Sequence, residues 1–204
     1  MLKNTFCCFI LIAILSSVVF SQDTSRLYFT TSIGLLSPVS SFANAYKTSL
    51  ALSSGIEYRF SRSLFSQFVL DFNAVKYDQQ LKDERSDYLF QNTNSSIFLA
   101  GINVGRNFSF GRKSPFFLSF YTGAGYVNIG EPRLIVKTAS NIIEQEVRRM
   151  TGVFAKGGLR FGCKTSSKIL QTIYFDCSYW MTNLKIQQAR AAAFSLYIGT
   201  RFGF

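Results

Sequence analysis

The sequence predicts an all-β fold: an eight-stranded antiparallel up-and-down barrel that crosses a membrane with its strands. Three observations predict this fold. Eight segments alternate apolar residues with small, polar or charged ones, as expected of strands whose successive residues point to opposite faces. The connections between the segments alternate in length. Phe and Tyr, which favour strands, occur 22 and 10 times, whereas Pro occurs only 3 times.

The last segment has the clearest alternation. Leu196, Ile198 and Phe202 share one face of a strand, and Tyr197 and Arg201 lie on the other. The same pattern recurs along the chain. It defines, in order, the strands Leu27–Leu36, Leu50–Phe60, Leu64–Tyr77, Ser96–Phe110, Phe116–Val127, Val153–Phe161, Leu170–Thr182 and Ala192–Phe204.

Long and short connections alternate between these strands. The first, third and fifth are long, the second, fourth and sixth are short, and the seventh, Asn183–Ala191, is intermediate. Short turns at one end and long loops at the other are typical of bacterial outer-membrane barrels. An even number of strands then puts both termini at the short-turn end, on the periplasmic side. Within the fifth connection, Asn128–Gly152, the spacing of Ile142, Ile143 and Val147 also allows a helix.

Charged residues within the predicted strands are expected inside the barrel. An Arg or Lys on the lipid face near mid-membrane costs roughly 2–4 kcal/mol. An eight-stranded barrel is just wide enough for side chains to fill it, and buried charges are tolerated when they are paired. Because both signs occur, we predict a paired network and not an open electropositive pore. The expected members of this lumen network are Glu57, Arg59, Asp71, Lys156, Arg160, Asp176 and Arg201.

Basic residues occupy the short turns, and no acidic residue accompanies them. Two interpretations stay open. The turns are ordinary solvated turns, or they contact anionic head groups of the inner leaflet, at roughly 1 kcal/mol per basic residue. Aromatic residues flank the same turns, where the interfacial girdle of a barrel belongs. The candidate head-group contacts are Arg62, Arg112, Lys113, Lys164 and Lys168.

The N-terminal segment predicts a secretory signal peptide. Lys3 gives it a positive start, Phe6–Phe20 is an almost unbroken apolar run, and cleavage is expected after Ser21. The run has about 15 residues, fewer than the roughly 20 that a transmembrane helix needs. We therefore expect a signal peptide over residues 1–21 and a barrel domain over residues 22–204.

Two cysteines belong to the barrel domain. If the turn between the sixth and seventh strands centres near Ser166, Cys163 faces about Ile169 and not Cys177. A disulfide would then need a register shift. We therefore expect two unpaired thiols.

Composition excludes several chemistries. The chain has no His, the commonest general base and transition-metal ligand. No cluster of metal ligands and no nucleophile beside an orienting base is recognisable. We therefore predict no enzymatic activity, no cofactor and no metal. The formal net charge of +11 is scattered along the chain, which favours an anionic membrane surface over nucleic acid as the partner.

The chain resembles the small bacterial outer-membrane β-barrel family in three features. Its short and long connections alternate, its strands place apolar residues on the same face, and its closing strand ends in Phe202 and Phe204. This family includes porin-family proteins, PorT-like barrels and the barrel of outer membrane protein A. The resemblance covers nearly the whole mature chain. It implies that the two terminal Phe residues are the signal read by the barrel insertion machinery. It also implies a location in the cell outer membrane, in contact with its lipids.

This family is functionally diverse, so the resemblance implies a fold more than a role. It favours a non-enzymatic structural or accessory subunit of a larger envelope complex for secretion, transport or assembly, since PorT-like barrels are associated with protein secretion. Such a complex would be reached through the long loops or the lipid-facing wall. A narrow porin-like channel is the alternative. A soluble lipocalin-like ligand carrier, with inverted faces, is the third hypothesis.

Overall fold

The computed structural model describes residues 26–61, 63–82, 89–111, 114–137, 142–165, 167 and 169–203. The predicted signal peptide lies outside these residues. No helix among the described residues is long and apolar enough to cross a membrane.

The described chain forms a closed barrel of eight antiparallel strands in sequence order. Each strand pairs with the next, and the last pairs with the first over the register Tyr28–Gly203 to Pro38–Ala193. The fold class predicted from the sequence is therefore confirmed. The strands are β1 Leu27–Pro38, β2 Ser49–Arg59, β3 Leu64–Tyr77, β4 Thr93–Ser109, β5 Phe116–Lys137, β6 Ile142–Lys164, β7 Leu170–Ile186 and β8 Ala189–Gly203, and the short helix α1 is Phe42–Ala45.

The two faces of the strands have opposite chemistry. In β8, the side chains of Leu196 and Ile198 are 41% and 63% exposed on the outside, whereas Tyr197 and Arg201 are buried inside. Because paired residues lie on the same face of a sheet, the register carries this division around the barrel: Leu196 pairs with Leu35 of β1. Apolar side chains thus form the outer wall, and polar and charged side chains lie within.

Two strands continue far beyond their predicted ends. β5 and β6 pair without a break from Phe116–Cys163 to Lys137–Ile142, through the stretch expected to be a long loop. The helix allowed there is wrong, since Ile143 pairs with Val136 across the two strands. β-branched residues fit a pleated surface better than a helix, and cross-strand pairing satisfies the backbone hydrogen bonds of the whole stretch.

The seventh connection is also shorter than expected. β7 and β8 are joined by a two-residue turn, in which Gln187 and Gln188 have φ values of 48° and 69°. Two positive φ values match the right-handed twist of a hairpin, but Asn and Gly usually adopt them, so the Gln-Gln pair does not predict this turn.

The turn between β6 and β7 lies closer to β7 than expected. Cys163 therefore pairs with Ile173 and not with Ile169. Cys177 faces Leu159 of β6, and both thiols are free, as predicted.

The barrel interior is filled by two different kinds of side chain. The half near the short turns holds the predicted charged residues. The half near the long connections holds an apolar cluster that includes Leu36, Ile97 and Val127, together with the buried carboxylate of Glu131, which is paired with Arg133 at 2.8 Å. The first long connection contributes to this cluster. Its helix α1 brings Phe42 and Ala45 into the mouth of the barrel, where both are buried.

Candidate functional site

Glu57 of β2 is the centre of the ionic half of the lumen. Its fully buried carboxylate accepts hydrogen bonds from Arg59 Nε at 3.1 Å, from Arg160 Nη1 at 3.2 Å and from Arg201 Nη2 at 2.7 Å. These guanidinium groups come from β2, β6 and β8. One carboxylate therefore links three strands that are distant in the sequence.

Arg160 extends the network to the opposite wall. Its Nε donates to Asp176 Oδ2 at 2.9 Å and its Nη2 donates to Gln67 Oε1 at 3.1 Å. Tyr121 donates from its hydroxyl to Asp176 Oδ1 at 2.6 Å. The guanidinium carbon lies 4.5 Å from the centre of the Tyr174 ring, a cation–π distance. Arg160 thus has carboxylate, amide and aromatic partners at once, which is what a buried guanidinium requires.

Lys156 and Asp71 form a second ion pair in the lumen, closer to the long connections. Their Nζ and Oδ2 atoms are 2.8 Å apart and both side chains are buried. The structure therefore brings all seven residues of the expected lumen network inside the barrel, in two groups. Four are cations and three are carboxylates, so the ionic half carries a formal excess of one positive charge.

Inward glycines make room for these long side chains. A Cβ added at Gly199 would lie 2.6 Å from the Tyr174 ring, closer than real Cβ contacts. The ring that covers Arg160 can pack there only because β8 has no side chain at this position.

Aromatic side chains close the other half of the lumen. The Phe42 ring lies 4.7 Å from the Tyr46 ring and 6.4 Å from the ring of Trp180, and Tyr46 lies 5.1 Å from Tyr77. We call these four residues the aromatic cap. Strand alternation does not distinguish these residues from aromatic residues at the rim, so the sequence does not predict the cap as a unit.

Hydrogen bonds hold the cap against the long connections. Tyr46 donates from its hydroxyl to the carbonyl of Gly130 at 2.7 Å. Gln187, at the tip of the β7–β8 hairpin, donates to the Tyr77 hydroxyl, and its Oε1 accepts from the backbone N–H of Gln80 at 2.5 Å and of Leu81 at 3.2 Å. The hairpin tip therefore folds over the mouth and holds the segment that follows β3.

Asp78 fixes the same segment from the other side. Its Oδ1 accepts a hydrogen bond of 2.6 Å from the backbone N–H of Asn92, and its Oδ2 lies 3.1 Å from Lys47 Nζ. The hydrogen bond from Asn92, helped by the charge of Lys47, lowers the pKa of the Asp78 carboxyl below its ordinary value.

Within the ionic half, between Arg160 and Lys156, the lumen holds a cavity of about 10 Å³. Its lining includes Asn103, Lys156 and Tyr197. A cavity needs roughly 10–15 Å³ to hold one water molecule. No group of three or more His, Cys, Asp or Glu residues placed to bind a metal occurs in the described part of the chain.

The other sequence-predicted residues are only partly described. Lys164 is exposed at the end of β6, near the short turn. Phe202 lies on the outer face of β8 and pairs with Phe29 and Leu170. The remaining predicted head-group and insertion-signal residues lie outside the described residues: Arg62, Arg112, Lys113, Lys168 and Phe204.

An eight-stranded up-and-down barrel with an apolar outer wall and a charged, side-chain-filled interior is the architecture of the small outer-membrane β-barrels, and this chain has it. No protein-family model and no curated protein matches the sequence.

Several solved structures are similar in fold at low identity. The N-terminal β-barrel domain of Pseudomonas aeruginosa OprF is 10% identical, with a TM-score of 0.47 over 87% of this chain and 98% of that one. The attachment invasion locus protein Ail of Yersinia pestis is 15% identical, with a TM-score of 0.45 over 87% and 99%. Neisserial surface protein A is 13% identical, with a TM-score of 0.46 over 88% and 98%.

Proposed function

We propose that this protein is an integral outer-membrane barrel with a plugged lumen, without enzymatic activity, that serves as a structural or accessory subunit of a larger envelope complex. The observation that carries the proposal is the filled interior. The ionic network occupies one half and the aromatic cap occupies the other, and the cavity within the network has room for about one water. The working surface is then the outside of the barrel and its loop end.

The outer wall supports a location within a lipid bilayer. Ile33, Ile102, Val153 and Ile198 belong to four different strands, and each side chain is more than half exposed on the outside. Water would be a costly environment for an apolar surface that continues around the barrel. A soluble lipocalin-like carrier would need the opposite arrangement, with an apolar pocket inside.

The packed lumen argues against the channel alternative. A conducting path would have to pass Arg160 and Arg201, which are both buried and bonded to Glu57. It would then have to pass the aromatic cap, where Phe42 and Trp180 are buried. A narrow pore therefore requires both layers to move apart.

The β5–β6 hairpin supports a role in a larger complex. β4 pairs with β5 only as far as Ile97–Ile129, and β6 pairs with β7 only as far as Phe154–Thr182. Beyond these points, within the described residues, β5 and β6 pair only with each other up to Lys137–Ile142. A two-stranded ribbon is only marginally stable alone in water, and its free edges can each accept a further strand.

The exposed residues of this ribbon suit a polar partner with an apolar contact. Glu146, Arg148 and Arg149 are exposed, and the Val147 side chain is 47% exposed among them. We propose that a partner of the complex binds here, at the long-loop end. With both termini on the periplasmic side, this end faces the cell exterior.

A hairpin-shortening experiment tests the proposed role. Replacing residues 134–145 by Asn-Gly would join the paired residues Arg133 and Glu146 through a two-residue turn. In the same variant, Val147→Ser, Arg148→Gln and Arg149→Gln would remove the exposed contacts proposed for the partner. The barrel should still fold, and a larger complex seen in mildly solubilised outer membranes should be lost. The matched control is Gln188→Gly, which alters another hairpin at the same end and keeps the hydrogen bonds of Gln187. If the wild-type protein is found only by itself and not in a larger complex, or if the shortened variant stays in the complex, the proposed role is wrong.

A further inference from the structure

Two cations face each other at the loop end of the outer wall. Lys185 of β7 and Arg190 of β8 are direct cross-strand partners, and both side chains are exposed on the outside. Neither makes an ion pair with a described residue. Like charges directly opposite each other destabilise a strand pair. An external anion between them would reverse that penalty.

Below this cation pair lies an apolar groove. It is shallow and wide open, with a volume of about 680 Å³, and Arg190 forms part of its edge. Its lining comes from β5, β6 and β7 and consists of Ala124, Gly125, Val153, Phe154, Ala155, Met181, Thr182 and Asn183. The groove opens outward, on the face that carries the exposed apolar side chains.

Strand divergence forms this groove. β6 stops pairing with β7 at Phe154–Thr182, and a register shift follows in the β7–β8 pair between Met181 and Lys185. The side chains at the shift are fixed: Thr182 donates to the Val153 carbonyl at 2.7 Å, and Asn183 Oδ1 accepts from the Val153 N–H at 3.0 Å. The groove is therefore a built feature of the wall, with small residues at its floor.

We infer that this groove and cation pair bind one anionic lipid of the surrounding membrane through its phosphate, for which phosphatidylglycerol serves as the probe. An acyl chain lies along Ala124 and Ala155, and the phosphate lies between Lys185 and Arg190. A guanidinium binds two phosphate oxygens at once, and the lysine adds a point charge. The inference rests on the proposed membrane location, because the groove faces an aqueous phase otherwise.

Another outer-wall groove lacks the opposed charges. It lies near the short turns, has a volume of about 620 Å³ and includes Phe60, Val104 and Arg106 in its lining. The Arg106 guanidinium there lies 5.2 Å from the Phe108 ring, which already provides it with a partner. Charge complementarity therefore favours the groove beside Arg190.

Lipid titration monitored by native mass spectrometry tests the inference. The protein in an uncharged detergent is titrated with phosphatidylglycerol, with phosphatidylcholine of the same acyl chains, and with glycerol phosphate, which has no chain. We expect one phosphatidylglycerol bound in preference to both controls. The double variant Lys185→Gln/Arg190→Gln should weaken this binding about 30-fold, as expected for two basic residues at a charged membrane surface.

Matched variants distinguish binding at this site from nonspecific electrostatic attraction between the anionic lipid and the basic protein. Lys76→Gln removes another outward base, outside the groove, and should change the affinity less than about twofold. Ala155→Phe should block the groove and abolish phosphatidylglycerol binding, whereas Ala74→Phe, an outward alanine of β3 outside the groove, should not.

Three results would overturn the inference. They are equal binding of phosphatidylcholine, an equal loss with Lys76→Gln, or unchanged binding after Ala155→Phe. A spin label at Ile102 shows whether such a result rejects only the lipid site or also the proposed location in the membrane. Relaxation of the label by bilayer-dissolved oxygen, without selective lipid binding, rejects only the lipid site; a label reached only by water-borne quenchers rejects the membrane location itself.

Discussion

Arg201 of β8 donates a hydrogen bond of 2.7 Å to Glu57 of β2, and neither side chain is exposed to solvent. The two residues are 144 positions apart in the sequence, and their strands lie on either side of β1. A single ion pair therefore spans the seam at which the first and last strands close the barrel.

Removing the carboxylate at this seam should strongly destabilise the barrel. Glu57→Gln leaves the guanidinium groups of Arg160 and Arg201 buried without their shared anion. Breaking a buried pair by removing one partner costs about 3–5 kcal/mol. Urea unfolding in lipid vesicles measures the loss. Glu146→Gln, on the exposed ribbon, is the control and should leave the midpoint unchanged; equal midpoints for both variants would mean that the network contributes nothing to stability.

The plugged lumen should block ion flow. We expect no conductance steps in planar bilayers for the wild type. The variant Arg160→Gln/Arg201→Gln should also be silent, because the aromatic cap still fills the loop half of the lumen. Steady ohmic steps from the wild type, altered by this variant, would instead support the channel hypothesis.

Trp180 is the only tryptophan of the chain and therefore reports on the cap directly. It is buried against Phe42, so iodide should not quench its emission. Phe42→Ala should loosen the cap, expose the indole and destabilise the barrel by about 3–5 kcal/mol. Phe60→Ala is the control, since Phe60 is exposed on the outer wall. Strong iodide quenching in the folded wild type would contradict a closed cap.

The Asp78 contacts should give one loop a pH dependence. Because the folded state lowers the pKa of Asp78, its contribution is present above the ordinary carboxyl pKa and is lost as the pH falls through the lowered value. Hydrogen exchange at the Asn92 amide should accelerate over that acidic range, beyond its intrinsic rate. Asp78→Asn should remove the step, and an unchanged pH profile in this variant would show that another group is responsible.

The β7–β8 turn offers a stabilising substitution. Gln188 has a positive φ of 69°, which costs a non-glycine residue roughly 1–2 kcal/mol. Gln188→Gly should therefore raise the free energy of unfolding by about 1 kcal/mol. Gln187→Gly relieves the same strain but loses the bonds to Gln80 and Leu81, so it should gain less. A larger gain at position 187 would mean that these bonds contribute little.

Alternation predicts the fold of this chain because a barrel wall has two chemically opposite faces. The parity of Leu196 against Arg201 suffices to assign the outside and the inside of the closing strand. The same argument identifies the charged residues of the lumen, since lipid excludes them. It does not predict which cation contacts which carboxylate, because the Arg160–Glu57 contact crosses the barrel interior.

The loop end could not be predicted in the same way. Trp180 and Tyr77 follow the strand pattern, yet their burial depends on α1 folding into the mouth, which no local pattern encodes. The β5–β6 ribbon has no distinctive local pattern, because its sequence also fits a helix and long-range pairing decides between the two structures. The opposed Lys185 and Arg190 depend on a register shift that the sequence does not reveal.

The ionic lumen also constrains how the barrel can assemble. Its members come from β2, β3, β6, β7 and β8, so a sheet that lacks the final strand leaves Glu57 one cation short. In such an unfinished sheet, the ionised groups of the inner face would be exposed to hydrocarbon before all of their charges are paired. In the proposed membrane location, the strand that closes the barrel thus carries Arg201, the counter-charge of Glu57, so that completing the cylinder also neutralises its interior.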